Sequence, residues 1–385
     1  MRELVTHAVG GGWGRDSPAE GTEQVAVIRG ADFPAVALGD VTEVPVRWEV
    51  MKKVPQRSLA GGDIVLEISG GTSDRPTGRT VYVSDRLLRQ LDRTAIPASF
   101  CRLVRTNRRL ANPHYVYWWL QGMYLDGRTW AYQNRSTGIA NFQFEHFLDA
   151  EQVRLPPLEE QRGIAATFGA LDDKIRSNSR QSLLFGDLQS ALFLQLVERN
   201  DLSSLPFDDV VERLPVKHKH SSKTVAESGR TPVLDQSDSG LLGFHDGSSE
   251  YTTDASNPIS LFGDHTCTWR LGIGAFDVGP NVIPVTTKLP SGVHAIWMHY
   301  ALRGAQTFQE YRRHWMEFQI HDIPWASAAV QQAFVDGAIP MLALVSHLEV
   351  ENRALANLRD QLLPELLSGR IRVPEARETV AEAVG

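Results

Sequence analysis

Cysteine is almost missing from this chain of 385 residues: Cys101 and Cys267 are the only two. They lie outside any C-x-x-C spacing, so neither a disulfide framework nor a zinc knuckle is indicated, and both are expected to be buried thiols. Long apolar runs are scarce as well. No stretch approaches the roughly 20 residues a bilayer span needs, and the first thirty residues are rich in Gly, Asp, Glu and Arg rather than charged-then-apolar like a secretory leader. A cytoplasmic protein without a membrane partner is expected. A basic excess is also lacking: the formal net charge is −7, whereas proteins that live on nucleic-acid phosphates usually carry positive charge. Basic residues do cluster locally, at Arg102, Arg105, Arg108 and Arg109, at Lys217, His218, Lys219, His220 and Lys223, and at Arg303, Arg312, Arg313 and His314. These runs fit either a basic groove on an acidic molecule or plain solvated faces.

What the sequence has is enough apolar content, 42%, to bury substantial cores in two or three domains. Two segments, about Glu159 to Arg199 and about Ser327 to Ser368, carry apolar residues at helical spacing with few turn signals. Each follows a strand-like stretch that closes on proline, Val153-Arg154-Leu155-Pro156-Pro157 and Ile320-His321-Asp322-Ile323-Pro324, and proline is harmless just ahead of a helix. Asn178, Leu184, Leu188, Leu192 and Phe193 recur at one constant offset as Asn352, Leu358, Leu362, Leu366 and Leu367, which marks an internal repeat. The second copy is longer and contains Gly337 and Pro340, so its helix is expected to break there and restart. A helix of about 40 residues is roughly 60 Å long, more than one small domain can cover. The simplest cover for Leu184, Leu188 and Leu192 is therefore the other copy, at Leu358, Leu362 and Leu366.

The segments ahead of the helices alternate short β-branched or aromatic runs with Gly, Pro and Asp turns, as in Asp63 to Ile68 followed by Ser69-Gly70-Gly71. Weak echoes link them: Leu59 to Asp63 with Leu261 to Asp264, and Val25 to Asp32 with Pro232 to Asp238. The expected layout is α+β: a globular domain over 1–155, a spacer helix over 156–204, a second globular domain over 205–325, a second helix over 326–370 and a tail over 371–385. The two long helices are expected to pair as an antiparallel coiled coil in a pseudo-twofold duplicated chain.

Leu155-Pro-Pro-Leu-Glu-Glu-Gln161 running into Ile164-Ala165, then Leu171-Asp-Asp-Lys-Ile175 with Asn178, and Leu362-Leu-Pro-Glu-Leu-Leu-Ser-Gly369 match a helix start, body and end in order. Gly62-Asp63-Ile64, and Ser136-Thr-Gly138 ahead of Phe147-Leu148, support them. On these motifs the chain resembles the specificity subunits of type I restriction-modification systems over almost its whole length. Ala328-Ala-Val-Gln-Gln332 departs from the pattern, standing where an acidic-Gln pair belongs. The resemblance implies two target-recognition domains, each reading one half of a split double-stranded DNA site. It also implies two methyltransferase subunits docked on the spacer, a restriction/translocase subunit that joins for cleavage, and S-adenosylmethionine held by the methyltransferase partner. This chain would then hold no cofactor, no metal and no catalytic residue.

Under that resemblance the candidate DNA contacts are the residue types that read base edges or let backbone approach phosphate. They are Gly70, Gly71, Thr72, Arg75 and Arg79 on one loop, and Arg128, Asn134 and Arg135 around another. In the second domain they are Lys217, Lys219, Lys223, Arg270, Arg303, Arg312 and Arg313. Other readings compete. Asn112-Pro-His-Tyr115 comes near the Asn-Pro-Pro-Tyr motif of amino-methyltransferases, and Gly272-Ile-Gly-Ala-Phe276 hints at a cofactor loop, but the third motif position is wrong and a glycine pair is weak evidence. Asp63 and Glu67 could pair around Mg²⁺, though Asp63 fits a turn at a strand start better. His218 and His220 could hold a metal, yet no Cys or carboxylate stands at ligand spacing from them. A coiled-coil protein adaptor accounts for the helices and the acidic charge but not for the ordered motifs.

Overall fold

The computed structural model describes residues 1–385 apart from 72–74, 136–139, 227, 238, 290–291, 306–314, 319–321 and 385. The chain forms two compact units, Met1–Ser179 with Glu351–Gly385, and Arg180–Val350. Both boundaries fall inside long helices, so each unit holds one half of each.

The first unit contains strands β1 (Val5–Gly10), β2 (Thr22–Ile28), β3 (Val46–Val50), β4 (Ile64–Glu67), β5 (Ser69–Gly71), β6 (Thr80–Tyr82), β7 (Ala95–Pro97), β8 (Cys101–Thr106), β9 (Gln133–Arg135) and β10 (Ala140–Phe142). Helices α1 (Phe33–Leu38), α2 (Val54–Arg57), α3 (Asp85–Leu91), α4 (Pro113–Leu125) and α5 (Phe144–Ala150) connect them, and α6 (Leu158–Arg199) follows. The sheets run β1-β8-β4-β6, β3-β2-β7 and β5-β10-β9. Strand β4, Ile-Val-Leu-Glu, is buried at every position, because it separates two cores. Ile64 and Leu66 join the cluster under α4, while Val65 faces the one that contains Val25, Val27 and Ile96, as the two-residue side-chain period of a strand requires.

The second unit contains β11 (Ser203–Pro206), β12 (Val211–Arg213), β13 (Thr231–Leu234), β14 (Leu241–His245), β15 (Tyr251–Thr253), β16 (Ile259–Gly263), β17 (Trp269–Gly272), β18 (Gly274–Val278), β19 (Val282–Thr287) and β20 (Asp322–Trp325). Its helices are α7 (Phe207–Val210), α8 (Gly292–Ala305) and α9 (Trp315–Phe318), and α10 (Ala328–Ser368) follows. One sheet runs β12-β19-β16-β17, another β14-β13-β18-β15, and β11 pairs with β20. Part of the strand plan recurs in the two units: β12-β19-β16-β17 follows the same chain order as β1-β8-β4-β6, whereas β5-β10-β9 and β11-β20 have no such counterpart. In both, a first strand pairs antiparallel to the next and parallel to a later one, β2 with β3 and β7, β13 with β14 and β18. The Val25 and Pro232 segments thus hold the same place. The Leu59–Asp63 and Leu261–Asp264 segments do not: the first precedes β4, whereas Leu261–Gly263 lies inside β16.

The long helices have 42 and 41 residues. Within the first unit they run antiparallel, since Asp172 bonds Arg359 while Ser179 bonds Asn352. Within the second unit Gln189 bonds Ala338 and Phe193 packs on Phe334, again in opposite chain directions. Three expectations need correction. Helix α10 does not break at Pro340; Val335, Ala338 and Leu342 around it are buried in the core, and that packing outweighs the roughly 3 kcal/mol an internal proline costs. The end of the chain is not a tail but helix α11 (Val373–Val384), whose Ala376 and Val380 enter the core of the first unit. Between them Gly369, at φ +76, ends α10 with its N–H on the Leu366 carbonyl and the Arg370 N–H on the Glu365 carbonyl, the paired bonds of a left-handed helix stop.

The third correction concerns the seam. Leu184, Leu188 and Leu192 are 57%, 45% and 38% exposed, whereas Leu362 and Leu366 are buried and Leu358 is partly buried in the first unit. Leu358, Leu362 and Leu366 share the core of the first unit with Ile164, Phe168 and Leu171 of α6, whereas Leu184, Leu188 and Leu192, in the second unit, do not form a buried stripe. Steps of four residues rotate about 40° each around a helix, so three leucines spaced that way drift off any one face. The buried stripe alternates steps of three and four: Ile164, Phe168, Leu171, Ile175 and Asn178, then Gln189 and Phe193. Gly122 of α4 lets α10 come close, since a Cβ there would meet Leu367 Cδ1 at 2.9 Å.

By length and composition α10 would also pass as a bilayer span, a test that core helices pass as well. Leu366→Ala should destabilise the protein by about 2 to 5 kcal/mol, and Leu188→Ala by less than about 0.5 kcal/mol. Urea unfolding of both variants checks this, and equal costs would refute the stripe.

Candidate nucleic-acid interface

The structure brings together the two loops selected in the first globular domain. Strand β10 lies between β5 and β9, with Ala140 opposite Gly71 on one side and Arg135 on the other. The backbones at Gly71 and Arg135 are thus about 10 Å apart, two strand spacings. Asn134 is exposed beside them. The Gln133 side chain ties the edges together by accepting from the Thr77 N–H at 2.9 Å. The glycines serve the fold first: Gly70 sits at φ +134, and a Cβ on Gly71 would meet the Arg75 carbonyl oxygen at 2.8 Å. Thr72 lies outside the described residues, as do Arg312 and Arg313, and the Arg135 side chain is not described.

Several selected arginines already have partners within the chain. Arg79 donates to both oxygens of Glu67, at 2.9 and 2.6 Å, and to the Gly30 carbonyl at 2.8 Å. Arg128 pairs with Asp126 at 2.8 Å and with buried Glu151 at 2.7 Å, and lies over the Trp119 ring. Arg270 donates to the Ser237 carbonyl at 2.6 Å, holding the turn before Gly240. Arg75 bonds the Gly70 carbonyl at 3.1 Å. Lys217, Lys219, Lys223 and Arg303 are exposed.

The residues that suggested catalysis have structural work. Asn112 caps α4: its Oδ1 accepts the N–H of His114 at 2.9 Å and of Tyr115 at 3.1 Å, with Pro113 in the first turn. The Tyr115 hydroxyl donates to the Arg154 carbonyl at 2.7 Å. Asp63 accepts the Ala60 N–H at 2.7 Å, the turn role expected of it, and Arg105 grips it through two bonds. With Glu67 held by Arg79, each carboxylate already has its own cation. Gly272 and Gly274 flank the junction of two strands in different sheets. Cys101 and Cys267 are both buried, and burial pushes the Cys101 thiol up to about 12.

Sequence reasoning missed the polar groups that seat the long helices. The Gln161 amide is buried, donates to the Pro156 carbonyl at 2.8 Å and accepts the Asn112 N–H at 2.8 Å. Gln331 repeats this, donating to the Ala326 carbonyl at 2.9 Å with His294 Nδ1 at 2.7 Å from its oxygen. Gln331 lies inside Ala328-Ala-Val-Gln-Gln332, the stretch that departs from the acidic-Gln pattern. Near the middle of the helices Asn178 donates to Glu351 at 2.8 Å, Asn352 donates to Ser179 at 3.1 Å, and Lys174 pairs with Glu351. A carboxylate does accompany His218 and His220: Asp277, far off in sequence, bonds both. Pairing of β13 with β18 brings it there, which no local spacing reveals.

Two domains of mainly antiparallel sheet, each packed on its own half of the two long helices, define an α+β protein. The chain has the fold of the S subunits of type I restriction-modification systems. It aligns with the S subunit from M. genitalium at TM-score 0.51 and 12% identity, over 94% of this chain and 93% of that one. Alignment with the HsdS subunit from Thermoanaerobacter tengcongensis covers 96% of both chains at 15% identity and TM-score 0.36. A chain from work on complex assembly and conformational transition of the type I system aligns over 95% and 96% at 16% identity and TM-score 0.38. No family model matches the sequence, and no curated protein matches it.

Burial disfavours the charged form of a histidine in each unit: it lowers His114, stacked on Tyr82, to about 4, and His299, beside Ser260, to about 3. Below the ordinary value of 6.5 the unfolded chain takes up protons that the folded chain refuses, so stability falls as pH drops through 6.5 toward those values. At pH 5 each histidine should cost about 2 kcal/mol. Urea unfolding at pH 7.5 and pH 5 tests this: His299→Asn should lose about 2 kcal/mol less than the parent on acidification, and an identical loss would contradict it.

Proposed function

We propose that this chain is the DNA-reading subunit of a type I restriction-modification complex. The observation that carries the reading is the end-to-end fold likeness to the M. genitalium S subunit, over 94% of the chain. Each globular domain reads one half of a split double-stranded target, and the long helices act as the spacer of a duplicated chain. In the first domain the β5-β10-β9 sheet presents Asn134 to DNA; in the second, Lys217, Lys219, Lys223 and Arg303 do so. Two methyltransferase subunits supply S-adenosylmethionine and the chemistry on adenine, and a restriction/translocase subunit joins for cleavage. The chain itself is non-catalytic and cytoplasmic. The part of the strand plan that recurs supports the duplication, and Asn112, committed to capping α4, speaks against a stand-alone methyltransferase.

The exposed leucines on α6 support a protein partner there. Leu183, Leu184, Leu188 and Leu194 are all at least 45% exposed, and several large apolar side chains exposed along one short stretch of helix suit an interaction surface. The double change Leu184→Asp with Leu188→Asp should weaken binding of the methyltransferase subunit at least about tenfold, 1.4 kcal/mol or more, while leaving the circular dichroism spectrum unchanged. Pull-down titration measures it, and undiminished binding would place the docking face elsewhere.

Exchanging residues 205–325 for the matching domain of a relative should change one half of the recognised sequence and leave the other half and the spacing alone. Genome-wide sequencing of methylated adenines reads this directly. If both halves changed together, or neither did, the two-reader assignment would be wrong.

A further inference from the structure

We propose that His218, His220 and Asp277 form a binding site for a divalent transition-metal ion, Zn²⁺ in the first instance, on the second globular domain. The site stands independently of the DNA-reading assignment. Its elements come from three parts of the chain: the segment 217–220 with His218 and His220, the end of β14 with His245, and β18 with Asp277. A single oxygen, Asp277 Oδ2, lies 3.0 Å from His218 Nδ1, 2.7 Å from His220 Nε2 and 3.2 Å from His245 Nε2. The candidate ligand atoms of His218, His220 and Asp277 all fall within 4.8 Å of one another.

Proton accounting favours a cation. An unligated carboxylate oxygen offers two lone pairs in its plane, yet three imidazole nitrogens converge on this one. His218 and His220 take both positions, and His245 Nε2 is left buried without a hydrogen-bond partner. His245 Nδ1 already accepts the Gly247 N–H at 3.1 Å, so the ring proton of neutral His245 is on Nε2, facing the carboxylate. His245 therefore cannot ligate; it can only donate. An ion held by Asp277, His218 and His220 turns the latter two into lone-pair donors. Oδ2 is then relieved of two hydrogen bonds and open to the His245 N–H.

The geometry needs little adjustment. Two ligands about 2.0 to 2.1 Å from a zinc ion lie roughly 3.0 to 3.4 Å apart, so the two histidine–aspartate separations, 3.0 and 2.7 Å, have to open by only a few tenths of an ångström, while the two ring nitrogens, within 4.8 Å of each other, adjust by rotation of the exposed His218 ring. The surroundings are already fixed. Asp277 is fully buried, and its Oδ1 accepts the Glu250 N–H at 2.5 Å. The Glu250 carboxylate in turn accepts the N–H groups of Lys217 at 2.6 Å and His218 at 2.9 Å. One residue thus clamps both the ligating carboxylate and the segment that carries the histidines, the outer support on which metal affinity depends. His218, 47% exposed, gives the ion a way in. Two imidazoles and one carboxylate suit Zn²⁺ and Co²⁺ and leave at least one position for water. Bound metal would staple the segment bearing Lys217 and Lys219 to the β14-β13-β18-β15 sheet.

Co²⁺ titration of the full chain, produced without a polyhistidine tag and stripped by chelator, tests the site. Visible d–d absorption should grow and saturate at about one equivalent per chain, Zn²⁺ should bleach it, and Zn²⁺ should raise the Tm. His218→Ala, at an exposed position that leaves the fold intact, should lose the signal and the Tm rise, and His220→Ala should do the same with an unchanged circular dichroism spectrum. A parent chain with neither Co²⁺ absorption nor a Zn²⁺-dependent Tm would overturn the proposal. So would variants that keep both.

Discussion

A helix of some forty residues has to keep one stripe covered along its entire length, and no domain of this size reaches that far. Everything else in the molecule answers to that constraint. Ile164, Phe168, Leu171 and Ile175 complete the core formed by α4, α10 and α11, while Phe193 completes a second core with Trp297, Tyr300 and Phe334. Neither globular domain closes its main core alone. In the first, Tyr115, Trp118 and Met123 from α4 find their cover on the long helices, so sheet, α4 and helices fold as one body and not as a bead on a rod.

The junction between helix and domain is polar where the cores are apolar. A buried amide fully paired inside is worth little net, but leaving one unpaired costs about 1 to 3 kcal/mol. Gln161 and Gln331 therefore act as gauges of fit: each is satisfied only when the first turn of its helix, the preceding proline-bearing segment and the domain helix beside it are all in place. Tyr115 and Trp297 reinforce this, reaching from α4 and α8 to the carbonyls of Arg154 and Pro324.

Much of the architecture was legible in the sequence, and the reasons differ by element. The helices announced themselves because apolar residues recur over a long stretch, and Pro156-Pro157 and Gly369 marked ends through backbone geometry alone. Strand β4 was legible from Ile64-Val-Leu following a glycine turn. The seam was misread because leucine content was weighed above rotation: Leu184, Leu188 and Leu192 are conspicuous, while the true stripe there runs through Gln189 and Phe193, one residue and about 100° away. Pro340 was misjudged because local propensity yields to packing. The candidate DNA contacts were read as residue types, and type does not reveal partners: Arg79 and Glu67 are separated by a turn that folds one onto the other. Asp277 was invisible beside His218 because only sheet pairing brings them together.

Midway along, the stripe turns from apolar to polar at Asn178, Ser179, Glu351 and Asn352, and these groups bond across from one helix to the other. Leucines slide past one another at small cost, whereas these side chains have partners in a single axial alignment. The contact works as a key in a slot: within the first unit it fixes the axial register of α6 against α10, and a slip of either helix by one residue would strand all of these polar groups at once.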